Sequence, residues 1–197
     1  MLKNIVFFIL IAMPCYTCAM IHGKIHEEIP IFLHIKSIKS NIDDYTAFNL
    51  ASTIVEASKF HNMDPNLITS VIQNESMFRQ NAVSRMGAIG YMQVIEKWHR
   101  PIIKKYFKKF QSNSLFNLKV NIWTGTEILA NYIEKHKTIK RGLQAYHGSQ
   151  NNYYYRKIMR SLPKFTDVVI FVPNQNLYIS EKYIFINDNS KLKVYSI

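Results

Sequence analysis

Cysteine is almost absent from this 197-residue sequence, and the two cysteines present lie at its beginning. Cys15 and Cys18 are both within the first 18 residues. If this segment is removed during export, the mature chain has no disulfide, no thiol nucleophile and no cysteine-ligated metal. The chemistry of the mature chain must then come from other side chains.

Acidic residues are also scarce. Asp and Glu number 13 against 25 Lys and Arg, which gives a formal net charge of +12. Such a surplus favours a polyanionic partner, which could be nucleic acid, anionic lipid or an acidic cell-wall polymer. The sequence has no zinc-finger spacing, no RNP-type aromatic motif and no P-loop, so we expect no nucleic-acid partner.

The apolar run at the N-terminus is too short for a membrane span. It extends from Ile5 to Met13, whereas a spanning helix needs ~20 residues. Lys3 precedes it, and small residues before Ala19 allow cleavage by a signal peptidase. Residues 1–19 are therefore predicted to be a signal peptide. The alternative is an uncleaved N-terminal anchor, which would be the only membrane contact that we expect. Export without cystines fits a periplasmic or secreted protein of the bacterial cell envelope.

The sequence has no internal repeat and no low-complexity tract, and its length suits one sizeable core. Residues 20–41 show weak periodicity and are interpreted as a linker. Asp43 or Asp44 can cap the first helix that follows, and Asp64 with Pro65 is a strong start signal for the next. Apolar residues recur at helical spacing through 44–61, 65–75, 101–110, 120–136, 142–146 and 153–159. A helical domain is therefore predicted over residues 42–162.

The C-terminal tail has a different composition. Residues 168–172, 177–179, 183–186 and 192–195 are rich in β-branched and aromatic residues and are separated by turn formers. This pattern predicts three or four short antiparallel strands in a β-rich extension over residues 163–197. The extension either packs on the helical domain or offers an edge to a partner. The fold class is thus mainly α with a short β-rich C-terminal tail.

Glu75 is the candidate catalytic residue. It lies at the C-terminal end of a predicted helix, where the helix dipole disfavours a carboxylate, and Met77 and Phe78 add apolar surroundings. Both effects raise the pKa of a carboxylic acid, as a general acid requires. Taken alone, however, Glu75 is better explained as a solvated residue in a last helical turn.

Four blocks of residues favour the catalytic interpretation of Glu75 over a solvated helix position. They are Glu75-Ser76 with Phe78, Asn81, Ala82 and Ser84; the run from Gly87 to Gln93; Asn121 with Gly125 and Leu129; and the run from Ala145 to Ser149. In this order they resemble the catalytic signature of the soluble lytic transglycosylases, a family with a goose-lysozyme-like helical domain. The resemblance extends over residues 43–159. Tyr91 departs from the family's common Leu, and His147 replaces its usual Asn.

The resemblance implies a reaction. Glu75 would cleave the β-1,4 bond between N-acetylmuramic acid and N-acetylglucosamine and form 1,6-anhydromuramic ends, with no metal and no organic cofactor. Most glycosidases need two carboxylates, but Glu96, Glu127 and Glu134 are the only others between residues 65 and 150. Glu127 and Glu134 lie in a predicted amphipathic helix with no special sequence context, and Glu96, which precedes Lys97-Trp98-His99, is the one conceivable second carboxylate. A mechanism with Glu75 as the single acid and base is therefore the economical one.

The resemblance also implies a set of substrate-binding residues: Ser76, Gly90, Tyr91, Met92, Gln93, Asn121, Tyr146 and His147. The Tyr146 hydroxyl would reach Glu75 and orient it. The expected partner is the glycan strand of peptidoglycan, and a secretion or conjugation complex of the envelope is a further candidate. Two alternatives remain open: a hydrolytic muramidase using the same acid, and a non-catalytic protein of wall binding or secretion assembly.

Overall fold

The computed structural model describes residues 27–106 and 113–163, together with the backbone of four C-terminal strands. The predicted signal peptide lies outside the described residues. The helices are α1 (Glu28–Ile38), α2 (Asp44–His61), α3 (Pro65–Ser76), α4 (Glu96–Tyr106), α5 (Leu118–His136), α6 (Ile139–His147) and α7 (Tyr153–Arg160). Two short strands, β1 (Ala88–Ile89) and β2 (Val94–Ile95), form an antiparallel pair between α3 and α4. The prediction of a mainly α fold is confirmed.

The helix starts follow the capping residues seen in the sequence. Asp43 caps α2, because its Oδ1 accepts the backbone N–H of Thr46 at 2.8 Å. Asp64 caps α3 in the same way through Asn66 N–H at 2.8 Å, and Pro65 takes the first helical position. These caps fix where α3 begins and, with its length, where Glu75 emerges.

The interpretation of residues 20–41 as a linker needs correction. Residues 28–38 form helix α1, and Ile29, Phe32 and Ile35 are fully buried in the common core. His34 Nε2 also lies 2.9 Å from Gln73 Oε1, which joins α1 to α3. His and Lys residues interrupt the apolar pattern of α1, so tertiary packing rather than periodicity defines this helix.

One hydrophobic core joins the helices. Ile122 and Leu129 of α5 and Ile54 of α2 are fully buried, and α5 packs against α2, α4 and α6. Helix α4 begins earlier than predicted and contains Pro101, with a kink at His99. Since proline lacks a backbone N–H, it is tolerated at such a kink rather than in a regular helix. Within the described residues, no helix is both long and apolar enough to cross a bilayer.

The tail forms the predicted antiparallel strands. They are β3 (Ile170–Val172), β4 (Leu177–Ile179), β5 (Tyr183–Asp188) and β6 (Lys191–Ser196), hydrogen-bonded in the order β3-β4-β5-β6. Each strand pairs with the next in the chain, for example Ile170 with Ile179 and Tyr183 with Ser196. The backbone of β6 passes close to α2.

Candidate active site

Glu75 lies in the last turn of α3, as predicted, and is half-buried. The hydroxyl of Tyr154, from α7, donates a hydrogen bond to Glu75 Oε1 at 2.5 Å. The neighbouring Asn74 side chain donates to Ser161 Oγ at 2.6 Å, just beyond the end of α7. Two adjacent residues of α3 thus hold α7, and this attachment fixes Tyr154 against the carboxyl group.

The pKa of Glu75 is raised, which confirms the predicted direction. Burial is the main cause, whereas the Tyr154 hydrogen bond and the charges of His147 and Lys157 act in the opposite sense. Of the two apolar neighbours named from the sequence, Phe78 is 1% exposed and Met77 is 50% exposed. Burial beneath α7 therefore favours the protonated carboxyl group, and donors that favour the carboxylate lie beside it.

His147 lies over the tyrosine that holds the acid. Its ring stacks on the Tyr154 ring with a centroid distance of 4.3 Å and an interplanar angle of 23°. His147 is exposed, whereas Tyr154 is 3% exposed. His147 thus covers Tyr154 on the solvent side and acts on Glu75 through its charge.

The predicted contact between Tyr146 and Glu75 is wrong. The Tyr146 hydroxyl instead donates to the backbone carbonyl of Met92 at 2.7 Å, and Tyr154 takes the place expected for it. Both tyrosines project from neighbouring helices toward the same region, and Glu75 contributes to raising the pKa of Tyr146. Tyr146 therefore holds the β1–β2 loop beside the acid.

Asn121 and Gly90 form the anchor of that loop. Asn121 is fully buried; its Nδ2 donates to Ile89 O and Leu115 O, both at 2.8 Å, and its Oδ1 accepts Met92 N–H at 2.8 Å. Gly90 has φ +79°, and a Cβ there would lie 2.2 Å from Asn121 Nδ2. The Asn121 side chain is thus engaged by three backbone groups and does not bind substrate as predicted, whereas the substrate contact of Gly90 stays a prediction.

Tyr91 and Met92 also face the interior. Met92 is fully buried, and a Cβ at Gly125 would lie only 2.6 Å from it. Tyr91 is 1% exposed, and burial together with the charge of Asp43 raises its pKa to about 12. The Tyr91 ring thus points toward the start of α2, and neither side chain is exposed to a substrate, which corrects the substrate-binding role expected of both.

Ser76 and Gln93 are engaged locally. Ser76 is 1% exposed, and its hydroxyl donates to Ile72 O at 3.1 Å within α3, so the predicted role in binding substrate is wrong. The Gln93 amide nitrogen donates to Ala82 O at 3.2 Å and Gly90 O at 3.1 Å. Gln93 is only half-buried and remains beside the loop surface.

Two of the other three carboxylates between residues 65 and 150 have charged partners. Glu96 pairs with Arg100 at 3.1 Å, and Glu127 pairs with Lys105 at 2.9 Å and accepts a hydrogen bond from Tyr106. Among the described residues, no group of three or more His, Cys, Asp or Glu side chains is placed to hold a metal ion.

Tyr154 is the site residue that sequence reasoning missed. It stands in a run of three tyrosines, 153–155. Tyr154 and Ile158 are the buried pair of α7, one helical turn apart. That spacing was the available signal, because it selects Tyr154 as the tyrosine that faces the interior.

The fold and the site together define a mainly helical protein built around a half-buried carboxylic acid, the kind of group that general-acid enzymes use. Comparison with known proteins supplies the family. Residues 52–160, more than half of the chain, match the family model of the transglycosylase SLT domain. The chain belongs to this family, and the resemblance seen in the sequence is confirmed.

This chain spans only part of the length of the individual relatives that it matches. The chain is 28% identical over 111 residues to a transglycosylase of Enterobacteria phage PRD1, which is 56% of this chain and 39% of that protein. It is similar to an inactive mutant of the lytic transglycosylase Slt from Pseudomonas aeruginosa, with 19% identity, a TM-score of 0.46, and coverage of 68% of this chain and 25% of that one. It is also similar to the complex of the 70-kDa soluble lytic transglycosylase with bulgecin A. The identity is 15%, the TM-score is 0.48, and the match covers 68% of this chain and 24% of that one.

Proposed function

We propose that this protein is a peptidoglycan lytic transglycosylase in which Glu75 is the single acid and base. Its substrate would be the β-1,4 bond between N-acetylmuramic acid and N-acetylglucosamine. The observation that carries the proposal is the half-buried Glu75, with a raised pKa and a hydrogen bond from Tyr154. Membership of the transglycosylase SLT domain family supports the same class of reaction.

The hydrogen bond from Tyr154 determines which carboxyl oxygen carries the proton. Because Oε1 accepts the tyrosine hydroxyl, the acidic proton of Glu75 resides on Oε2. Oε2 therefore donates to the glycosidic oxygen as the bond to C1 of the muramic residue breaks. The Tyr154 hydroxyl and the charges of His147 and Lys157 favour the carboxylate that forms at this moment.

The same carboxylate then acts as a base. It takes the proton from the C6 hydroxyl of the muramic residue while O6 bonds to C1, and the neighbouring N-acetyl group supports the cationic centre before closure. One C–O bond breaks, one forms, and Glu75 is again protonated. The product carries a 1,6-anhydro ring, and no water is consumed.

Substrate contact outside Glu75 is assigned to the predicted residues that lie near the surface. His147 is exposed above Tyr154, and Gln93 is half-buried at the end of the β1–β2 loop. Tyr91, Met92, Asn121 and Tyr146 act instead by holding that loop, and Ser76 by its bond within α3. The site thus has a rigid frame with few polar groups facing the glycan.

Isotope labelling separates this function from that of a muramidase, which would use the same acid but add water. We would digest purified sacculi in ¹⁸O-labelled water and analyse the muropeptides by mass spectrometry. Anhydromuramic ends without label are expected, and labelled reducing ends would show hydrolysis. A protein that only binds the wall would release no muropeptides.

We also propose that the protein acts in the periplasm or after secretion, since peptidoglycan lies outside the cytoplasmic membrane. Residues 1–19 would direct export. The net charge of +12 suits an anionic wall polymer. Mass measurement of the exported protein tests this, because cleavage after Ala19 predicts a chain that begins at Met20.

A further inference from the structure

Helix α7 carries Tyr154 to Glu75 but contributes few side chains to the core. It is eight residues long, and its buried side chains are Tyr154 and Ile158. A helix of this length is not stable alone in water, so contacts with its neighbours must hold it. It packs against α3 and α6. The position of the Tyr154 hydroxyl therefore depends on how each end of α7 is attached.

The side chain of Gln144 attaches the start of α7 to α6. Its Nε2 lies 2.7 Å from Gln150 O, 3.1 Å from Asn151 O and 3.3 Å from Asn152 Oδ1, so its N–H groups are shared among three acceptors. Asn151 Oδ1 in turn accepts the backbone N–H of Tyr153 at 2.9 Å. One amide group thus binds the three residues that lead into α7, including its N-cap residue Asn152.

The side chain of Asn74 attaches the other end of α7 to α3. Its Nδ2 donates to Ser161 Oγ at 2.6 Å, and the Ser161 hydroxyl donates to Ile158 O at 3.0 Å in the last turn of α7. Asn74 Nδ2 also donates to Ser70 O at 2.7 Å, one turn earlier in α3, and this bond fixes the amide. Because Asn74 directly precedes Glu75, this attachment and the acid belong to the same turn of α3.

We propose that Gln144, and Asn74 acting through Ser161, are positioning residues for the reaction at Glu75: they hold the two ends of α7 and so keep the Tyr154 hydroxyl on the acid. This inference rests on the proposed function and adds to it, because neither amide is assigned a contact with the glycan. A displacement of about 1 Å at a catalytic group can reduce the rate about 100-fold. Release of either end would let α7 pivot about the other.

Release of α7 should change the acid in the opposite direction to loss of the Tyr154 hydroxyl alone. Burial is the largest cause of the raised pKa of Glu75, and α7 covers the carboxyl group. The groups that face Glu75 are Tyr154 and Lys157 of α7 and Tyr146 and His147 of α6. Of these, Tyr154, His147 and Lys157 lower its pKa, but by less than burial raises it. A displaced α7 therefore lowers the pKa of Glu75 toward its ordinary value of 4.5, whereas Tyr154→Phe, which keeps the ring in place, raises it.

A ¹³C NMR titration of the Glu75 carboxyl group in the full chain tests the proposal without turnover. The double variant Gln144→Met with Ser161→Ala removes the donor at one end of α7 and the acceptor at the other, and it introduces no charge. Its Glu75 should titrate at lower pH than in the unchanged protein, and kcat/KM for release of 1,6-anhydromuropeptides should fall about tenfold.

The matched control is Gln150→Met with Ser37→Ala. Gln150 accepts the Gln144 bond with its backbone carbonyl, and the Ser37 hydroxyl donates within α1. This pair of substitutions should leave both the titration of Glu75 and kcat/KM unchanged.

A folded double variant in which Glu75 titrates at the same or a higher pH would overturn the assignment, and so would full retention of kcat/KM. A lower rate with an unchanged titration would show a structural effect only and would also overturn it. Should the double variant fail to fold, Gln144→Met and Ser161→Ala provide the test singly, each with a smaller shift in the same direction, and no shift in either would overturn the assignment. Failure of the proposed function would appear separately, as an absence of anhydromuropeptides from the unchanged protein, and the titration would still decide whether the two amides hold α7 over the acid.

Discussion

The hydroxyl of Tyr154 lies 2.5 Å from Glu75 Oε1, although the two residues are 79 positions apart in the sequence. The contact joins the last turn of α3 to α7, and Asn74 with Ser161 joins the same two helices at 2.6 Å. Glu75 is thereby held in one orientation, with one oxygen engaged and the other available for proton transfer. The properties of the candidate acid depend on this pair.

Removing the Tyr154 hydroxyl should alter the pH dependence of activity. Tyr154→Phe keeps the ring beneath His147 but removes a bond that lowers the pKa of Glu75. The acid must be protonated to act, so activity is lost as pH rises through its pKa, and in the variant this loss should occur at higher pH. We also expect kcat/KM to fall about tenfold, because the carboxylate formed during proton transfer loses a donor.

The matched control for this variant is Tyr153→Phe. Tyr153 precedes Tyr154 in the same helix, but its side chain is 63% exposed. Its substitution should leave both the pH profile and the rate unchanged. Identical pH profiles for Tyr154→Phe and the unchanged protein would show that the hydrogen bond has no role in setting the acid's pKa.

His147→Asn should shift the same limb of the profile in the same direction, by a smaller amount. The charge of His147 lowers the pKa of Glu75, but it does so less than the Tyr154 hydrogen bond. Restoring the family's Asn removes that charge and the ring stacked on Tyr154. The pH at which kcat/KM falls to half its maximum measures the shift, and a move to lower pH would contradict the assignment.

Glu75→Gln should stabilise the folded protein at neutral pH. The folded pKa of Glu75 lies above the ordinary value of 4.5, so the folded state binds more protons than the unfolded state between the two values. Stability therefore falls as pH rises through this window, and the neutral amide escapes that loss. The gain should lie within the ~0.5–2 kcal/mol typical of stabilising substitutions.

Thermal unfolding of both proteins from pH 4 to pH 8 measures this effect. The difference in Tm should be small at the acidic end and should grow with pH. A difference that stays constant over the whole range would mean that ionisation of Glu75 does not cost stability.

Substitution of two glycines that have the same backbone conformation distinguishes the cost of backbone strain from the cost of close packing. Gly87 and Gly90 have φ of +77° and +79°, but a Cβ at Gly87 meets nothing within 4 Å, whereas one at Gly90 would lie 2.2 Å from Asn121. Gly87→Ala should cost about 1 kcal/mol of unfolding free energy from the left-handed conformation alone. Gly90→Ala should cost at least ~2 kcal/mol more, because the Asn121 anchor must move. Equal costs in denaturant unfolding would show that the anchor yields freely.

The sequence predicted most helices because their signals are local. Asp43 and Asp64 each satisfy backbone donors within a few residues, and apolar spacing identified α2, α3 and α5. Helix α1 was interpreted as a linker because its burial comes from contacts with α2 and α3 rather than from a clear repeat. Local signals thus defined the elements but not every member of the core.

The same difference between local signals and tertiary packing applies to the site. Glu75 and the raised direction of its pKa followed from its place in the helix and its neighbours. The choice between Tyr146 and Tyr154 did not, because it depends on how α6 and α7 pack beside α3. Asn121 was assigned to substrate for a similar reason, since a residue type cannot reveal that three backbone groups already surround it.

The most direct test of the central claim compares the products of three proteins on purified sacculi: the unchanged protein, Glu75→Gln, and Glu134→Gln, which alters an exposed carboxylate of α5. Mass spectrometry would quantify 1,6-anhydromuropeptides released at equal protein concentration. The account predicts that Glu75→Gln releases them at least ~100-fold more slowly, as expected for loss of a general acid, while Glu134→Gln matches the unchanged protein. Undiminished release by folded Glu75→Gln would contradict the account.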